Sequence, residues 1–243
     1  MSFRLSKSKV NLFNTCRRAF KYAYIDEIVQ EPNDAMQQGT DVHAIAELFV
    51  KNFDINDDFY KKLMSIYESF DTEFNLKIHM YNLANFYEEV FHDEDEPYTV
   101  FSAEEYLYDE EHNLNGLADL ILENENGDLI IIDYKTGKTN SINKYRLELT
   151  YYKILVESKY LDKNVIAAGI FFTKDGGLKM VNFCEEQKKG SFIRQKDEEA
   201  AIKYLDFIRD EIDDNNLEPQ KRNHYYCDNW CYYKDICKQD GGF

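Results

Sequence analysis

GLADLILENENGDLIIIDYKTG, residues 116–137, is the stretch that decides the fold predicted for this chain. Two short apolar runs, 120–122 and 129–132, are rich in residues that favour strands. Between them lies the turn-forming cluster 124–127, which ends in a glycine. The pattern predicts a strand, a tight turn and a second strand, that is, a β-hairpin.

The turn also determines which residues face one another across the hairpin. If the glycine takes the left-handed conformation in a three-residue loop, Asn124 faces Asp128. Counting outward from that pair sets Asp119 opposite Asp133. Directly opposed residues share a face of the sheet, and Lys135, two residues further on, shares it too. The sequence therefore predicts two acids and a lysine at one end of the hairpin.

Two carboxylates beside apolar runs are costly to bury unless a cation lies between them. A divalent metal ion with oxygen ligands, next to a lysine that stabilises developing negative charge, is the chemistry of phosphodiester hydrolysis. The structural alternative is a hairpin whose polar ends simply reach solvent. An isolated D…DxK pattern favours that alternative, so the other motifs of the chain must decide.

The composition indicates a folded protein of 243 residues, 44% hydrophobic and 15% aromatic, which is enough for one large domain or for a core with appendages. No apolar run approaches membrane-spanning length and the first residues lack a signal peptide, so we expect a cytoplasmic protein with no membrane partner. The net charge of -17 counts against a broad electrostatic grip on nucleic acid. A basic groove within an acidic shell stays possible.

The hydrophobic periodicity predicts helices, then three strands, a helix, a strand pair and a last helix. Helices are expected at 11–24, 42–50, within 57–90 (two), at 145–160 and at 197–212. Besides the hairpin, strands are expected at 99–108, 165–173 and 178–184. Thr40 is the expected N-cap of the helix at 42–50. This order predicts a mixed α/β core at 96–215, with a helical region at 1–95 and a cysteine-bearing tail at 216–243.

Five cysteines occur, and three of them fall within eleven residues: Cys227, Cys231 and Cys237. In a cytosolic chain this grouping favours metal ligation over disulfides. The irregular C-x3-C-x5-C spacing is less typical of zinc than of an iron-sulfur cluster, which needs four thiolates. Cys16 is the expected fourth ligand, because Cys184 lies in a predicted strand and is expected to be a buried hydrophobe. A zinc site that recruits His224 and a set of unliganded thiols are the alternatives.

His43 is a candidate third ligand for the metal ion at the hairpin. A lone histidine near a helix start, with Glu47 one turn later on the same face, is more often structural. Asp119 and Asp133, however, lack a third side-chain ligand, which a neutral imidazole could supply.

Taken together, these elements resemble the RecB-like branch of the PD-(D/E)XK nuclease superfamily, specifically its iron-sulfur members, which include AddB-type nuclease domains and the nuclease of CRISPR adaptation. The resemblance covers most of the chain. It depends on SKSKVNLFNTCRRAFKY at 6–22, QGTDVH at 38–43, Glu104, GLADL at 116–120, DYKTG at 133–137, LTYY at 149–152 and the three C-terminal cysteines.

The resemblance implies a restriction-endonuclease-like α/β core and two metal centres. A Mg2+ or Mn2+ ion would be bound by His43, Asp119, Asp133 and the backbone carbonyl of Tyr134. Lys135 would orient or activate the attacking water, and Tyr152 and Glu104 would support the site. A 4Fe-4S cluster would be bound by Cys16, Cys227, Cys231 and Cys237, and we expect the tyrosines and Trp230 of the tail to shield it from water.

Three departures from the family pattern stand out. Arg17 follows the first cysteine where the family usually has proline, and the next cysteine pair is C-x3-C where C-x2-C is common. Glu148 replaces the glutamine of the family's Q-L-x-x-Y motif, which puts the usual role of that position in doubt. No G-x-x-x-x-G-K-[ST] motif occurs, so the chain has no ATP motor of its own.

The function expected from the sequence is that of a metal-dependent DNA nuclease, an exonuclease that acts on single-stranded DNA or on DNA ends. The expected contacts to the DNA backbone are Arg17, Arg18, Lys21 and Lys138. A helicase, or a recombination or CRISPR protein, is the expected partner. Two alternatives remain at this point: a catalytically idle nuclease-like module that binds DNA or such a partner, and a zinc-stapled interaction protein.

Overall fold

The computed structural model describes residues 3–94, 97–183, 192–218 and 224–242. The chain divides into two compact units. The terminal unit comprises Met1–Glu31, Glu110–Asn115 and Ile202–Phe243, and the central unit comprises Pro32–Asp109 and Gly116–Ala201. The predictions for Cys184 and for the side chain of His224 lie outside the described residues.

A mixed sheet forms the core of the central unit. Its strands are β2 (Thr99–Asp109), β3 (Leu114–Glu123), β4 (Leu129–Lys135), β5 (Val165–Phe172), β6 (Gly177–Phe183) and β7 (Phe192–Ile193). β3 pairs with β2 and, antiparallel, with β4, whereas β4 and β5 are parallel. β6 is antiparallel to β5 and parallel to β7. The parallel step from β4 to β5 needs a crossover, and helix α6 (Arg146–Lys159) supplies it.

Three helices cover the sheet with an aromatic core: α3 (Asp34–Asn52), α4 (Phe59–Ser69) and α5 (Lys77–Phe91). Their buried side chains pack with those of β3, β4 and β5. Phe49 of α3 stacks on Tyr87 of α5, with ring centroids 4.8 Å apart. This packing holds α3, and so His43, in a fixed place beside the sheet. A mixed sheet flanked by helices agrees with the predicted restriction-endonuclease-like core.

The hairpin has the predicted register. Gly127 has a φ of 81°, and the backbone N-H of Asn124 donates to Asp128 O at 3.0 Å. The paired residues run from Glu123 opposite Leu129 to Leu120 opposite Ile132. One further step along this register sets Asp119 opposite Asp133, at the end of the hairpin remote from its turn.

The predicted start of the histidine-bearing helix was wrong. Helix α3 begins at Asp34, and the side chain of its N-cap Asn33 accepts the backbone N-H of Met36 at 3.0 Å. Thr40 lies inside the helix and returns its hydroxyl to Met36 O at 3.2 Å. Gly39 misled the prediction because glycine commonly marks a helix boundary, although a helix interior tolerates it at a cost of about 1 kcal/mol.

The terminal unit begins with β1 (Leu5–Ser6), which pairs in parallel with the first two residues of β3, Leu114 and Asn115. The single helix expected at 11–24 is two helices, α1 (Lys7–Thr15) and α2 (Arg17–Tyr24). Cys16 separates them because its backbone is extended, with φ -164° and ψ 115°. Helical periodicity continues across this break, so the apolar pattern alone could not reveal it.

Helix α7 (Gln195–Asp213) contributes residues to both units, and the short helices α8 (His224–Asn229) and α9 (Lys234–Gln239) complete the terminal unit. Within the described ranges, no helix is both long enough and apolar enough to cross a bilayer.

Candidate metal centre and active site

Three side chains from separate elements of the central unit form a group that could hold a metal ion: His43 of α3, Glu104 of β2 and Asp119 of β3. One ligand atom of each lies within 4.8 Å of the others. His43 Nδ1 is 3.3 Å from Glu104 Oε1 and 3.4 Å from Asp119 Oδ1. One imidazole nitrogen and two carboxylate oxygens are donors that suit Mg2+ or Mn2+.

The electrostatics of this group indicate a place for a cation. Burial by itself would lower the pKa of His43, but Asp119 and Glu104 outweigh burial and raise it to about 10. A protonated imidazole therefore balances the two carboxylates. Glu104 Oε1 is buried. It is close enough to His43 Nδ1 for an ion pair, but the two atoms are not aligned for a hydrogen bond. A buried carboxylate oxygen in that state is a suitable metal ligand.

The backbone of Glu104 is itself unusual. Its φ is 47°, the left-handed region, although the residue lies inside strand β2 and is not a glycine. Such a conformation costs on the order of 1–3 kcal/mol and tends to occur at functional sites. The next residue, Glu105, is held by the Tyr160 hydroxyl and by Lys159 at 2.5 Å. The strand thus uses two consecutive glutamates differently, one as an anchor and one within the candidate metal group.

Tyr134 links Asp119 to His43 through its backbone. Its N-H donates to Asp119 Oδ2 at 2.6 Å, and its carbonyl oxygen lies 3.2 Å from His43 Nε2. The Tyr134 side chain is buried in the core, where its hydroxyl meets that of Tyr87 at 2.8 Å. The predicted backbone ligand is therefore held at the candidate metal group by a side chain anchored in the core.

Asp133 is outside the three-residue group and contacts other predicted site residues. Its Oδ2 is 2.5 Å from Lys135 Nζ, and its Oδ1 accepts the hydroxyl of Tyr152 at 3.2 Å. The same hydroxyl lies 2.8 Å from Leu117 O. Lys135 Nζ also contacts Glu148 Oε1, on the first turn of α6, at 2.9 Å.

Glu148 is the site residue whose partner the sequence did not reveal. The sequence showed only that an acid replaces the family's glutamine. The sequence did contain one signal. A buried acid needs a cation close to it, and Lys135 is a basic residue thirteen positions before Glu148. Asp133 and Glu148 are 0% and 5% exposed.

Hydrogen bonds from Thr173, which is itself held by helix α5, fix the backbone of Lys135. The N-H of Thr173 donates to Lys135 O at 2.9 Å, and the Thr173 hydroxyl lies 2.8 Å from Nδ1 of the buried His79. His79 lies on helix α5, and Asn82, one turn after it on the same helix, donates a hydrogen bond to Thr173 O at 2.9 Å. Helix α5 thereby orients the end of β4 that carries the lysine.

The four basic residues expected to contact DNA lie in different surroundings. In the terminal unit, Arg17 pairs with Glu211 and Arg18 with Glu218. Lys21, in the same unit, lies 2.6 Å from Asp26. Lys138 belongs to the central unit, is exposed, and follows Lys135 by three residues.

The four cysteines of the predicted cluster all lie in the terminal unit and are half-buried free thiols: Cys16, Cys227, Cys231 and Cys237. Burial raises the pKa of Cys16, and the neighbouring Cys227 and Cys237 raise it further. Burial also raises the pKa of Cys231, with contributions from Cys16 and Cys227. Each of the four therefore lies within electrostatic reach of others in the set.

The expected aromatic shield is incomplete. Tyr233 is buried, and it packs with Tyr22 and Ala19 against three of the cysteines. Trp230, by contrast, is 67% exposed, and Tyr225 and Tyr232 are exposed as well. The shielding prediction was wrong for these three. Tyr225 lies on the short surface helix α8, Trp230 and Tyr232 lie between α8 and α9, and all three rings reach solvent.

A family model described as the PD-(D/E)XK nuclease superfamily matches residues 4–238. The match spans the candidate metal group, Lys135 and all four cysteines of the terminal unit. No curated protein matches the chain closely enough to count as a relative.

Proposed function

Because the chain belongs to the PD-(D/E)XK nuclease superfamily, we propose that it is a Mg2+- or Mn2+-dependent deoxyribonuclease. The observation that carries the proposal is the group of His43, Glu104 and Asp119, which brings three metal-ligand atoms within 4.8 Å of one another.

We assign the roles as follows. His43, Asp119, Asp133 and the carbonyl oxygen of Tyr134 hold the metal ion, with Glu104 as a further oxygen ligand or second support. The ion supplies Lewis-acid activation of the phosphodiester and of water. Lys135 orients the attacking water and stabilises the added negative charge on the phosphate. Tyr152 orients Asp133 through their 3.2 Å hydrogen bond.

We also propose that the chain belongs to the RecB-like iron-sulfur branch, with a 4Fe-4S cluster on Cys16, Cys227, Cys231 and Cys237. The four half-buried thiols lie in the terminal unit within electrostatic reach of one another, and four thiolates are the ligand set that such a cluster needs.

For the substrate we propose single-stranded DNA or DNA ends, digested by an exonuclease. The net charge of -17 makes tight, unaided binding of a long duplex unfavourable. A helicase, or a recombination or CRISPR protein, would then deliver the strand, because the sequence contains no G-x-x-x-x-G-K-[ST] motif. Of the four basic residues expected to contact phosphates, we propose that Lys138 lies nearest to the candidate active site.

The activity is tested with end-labelled single- and double-stranded DNA in the presence of Mn2+. We expect the single strand to be shortened progressively, an excess of EDTA to stop the reaction, and circular single-stranded DNA of the same sequence to survive. If the circular DNA is cleaved at the same rate as the linear strand, the enzyme is an endonuclease and not an exonuclease. Binding without cleavage, at any Mn2+ concentration, would refute the nuclease.

Lys138→Ala is expected to weaken DNA binding and leave the turnover of bound DNA nearly unchanged. Loss of one phosphate contact should reduce the slope of log Kd against log salt by about 1. Fluorescence anisotropy of a labelled single strand in a salt series measures this slope. Lys61→Ala, at an exposed lysine of α4, is the matched control and should keep the wild-type slope. Equal slopes for both variants would remove Lys138 from the DNA-binding surface.

A second candidate, an idle nuclease-like module, is favoured in its protein-binding form by one observation. Arg17, Arg18 and Lys21 are all in ion pairs within the terminal unit and are not presented as a basic surface. The Mn2+ assay separates the two candidates, since an idle module would bind DNA or a protein partner and cleave nothing.

A further inference from the structure

Lys135 lies between two buried carboxylates. Its Nζ is 2.5 Å from Asp133 Oδ2 and 2.9 Å from Glu148 Oε1. The lysine side chain is 28% exposed, whereas those of Asp133 and Glu148 are 1% and 5% exposed. One ammonium thus serves two acids, one on the metal-binding strand β4 and one on helix α6.

This arrangement sets a requirement for metal binding at Asp133. Its Oδ1 already accepts the Tyr152 hydroxyl, and its Oδ2 faces the ammonium. An ion that takes Asp133 as a ligand therefore meets a carboxylate whose charge Lys135 already compensates, and the two cations compete for that charge. The lysine can give up that contact at low cost only if another anion keeps its charge compensated, because an unpaired charge in a mostly buried position is unfavourable.

We propose that Glu148 is a positioning residue for Lys135: it draws the ammonium away from Asp133 and so makes Asp133 available as a metal ligand. The inference rests on the proposed function, since it requires a divalent ion at Asp133. It gives the acid at this position a role of its own, different from that of a glutamine. A neutral amide would contact the ammonium but would not compete with Asp133 for it.

The test compares Mn2+ affinity in the DNA-free protein, measured by isothermal titration calorimetry, for Glu148→Gln, Lys135→Met and the double variant. Glu148→Gln alone should weaken Mn2+ binding about tenfold, the factor that corresponds to a hydrogen bond to a charged group. In the Lys135→Met background the same substitution should change the affinity less than about twofold, because no lysine remains to block Asp133. Glu88→Gln, at an exposed glutamate of α5, controls for the change in net charge.

Two outcomes would overturn the proposal. If Glu148→Gln weakens Mn2+ binding equally with and without Lys135, Glu148 acts on the ion directly. If Glu148→Gln causes no loss of affinity in the protein that keeps Lys135, Glu148 does not affect Asp133. Thermal melting of each metal-free variant shows whether it is folded. Glu148→Ala replaces Glu148→Gln, and Lys135→Gln replaces Lys135→Met, wherever the first choice is not folded. His43→Ala tests the premise separately: if this variant binds Mn2+ as tightly as the wild type, the metal site itself lies elsewhere.

Discussion

Asp119→Asn is expected to abolish Mn2+-dependent DNA cleavage, with a loss of at least about a thousandfold, well beyond the 10–100-fold typical of an outer-shell partner. Asp119 is 6% exposed and lies within reach of both other members of the metal group. Its second oxygen accepts the backbone N-H of Tyr134 at 2.6 Å. An amide has one acceptor oxygen, so asparagine can accept that N-H or face the ion with an oxygen, but cannot do both. The measurement is the initial rate on an end-labelled single strand across a series of Mn2+ concentrations.

Two further variants show which part of the site has failed. Lys135→Met should also lose activity but should keep the Mn2+ stoichiometry, because the lysine binds no metal. Asp128→Asn makes the same chemical change near the turn of the hairpin, remote from the metal group, and should retain wild-type activity. Cleavage that persists in Asp119→Asn at saturating Mn2+ would show that the acid is not a ligand and that the chemistry lies elsewhere.

The hairpin shows how much of such a site local sequence can specify. A glycine that needs a positive φ fixes the loop, the loop fixes the register, and the register places Asp119 next to Asp133. These steps involve contacts close in sequence, so single-residue conformational preferences decide them. The order of helices and strands was predictable for the same reason, since each apolar period reports on its own segment.

Features that depend on distant contacts were not predictable in this way. The left-handed backbone of Glu104 has no counterpart in its sequence, because glutamate does not favour a positive φ and only the surrounding structure can enforce one. The long helix α3 likewise overrides a glycine, and the packing of Phe49 against Tyr87 stabilises it. The contact between Lys135 and Glu148 joins a strand to a helix thirteen residues away, and spacing alone does not specify it.

Cys237→Ser is expected to remove the iron-sulfur cluster and to unfold the terminal unit at temperatures where the wild type is folded. A cluster that links Cys16 to Cys237 closes a loop of more than two hundred residues. On the chain-entropy estimate used for covalent cross-links, such closure is worth on the order of 5 kcal/mol. Among the described residues, the apolar cluster that packs directly beside these cysteines has three buried members, Ala19, Tyr22 and Tyr233, so this side of the terminal unit depends strongly on the cross-link.

The measurement is iron and acid-labile sulfide content of protein purified without oxygen, together with the visible absorption of the cluster and thermal melting. Cys184→Ala is the matched control for iron content, because it removes the one cysteine outside the proposed quartet and should keep the iron. If the wild-type protein contains zinc and no iron, the four cysteines form a zinc site and the cluster assignment is wrong. Full iron content in Cys237→Ser would instead show that a different residue is the fourth ligand, while loss of iron without loss of stability would limit the cluster to a role outside folding.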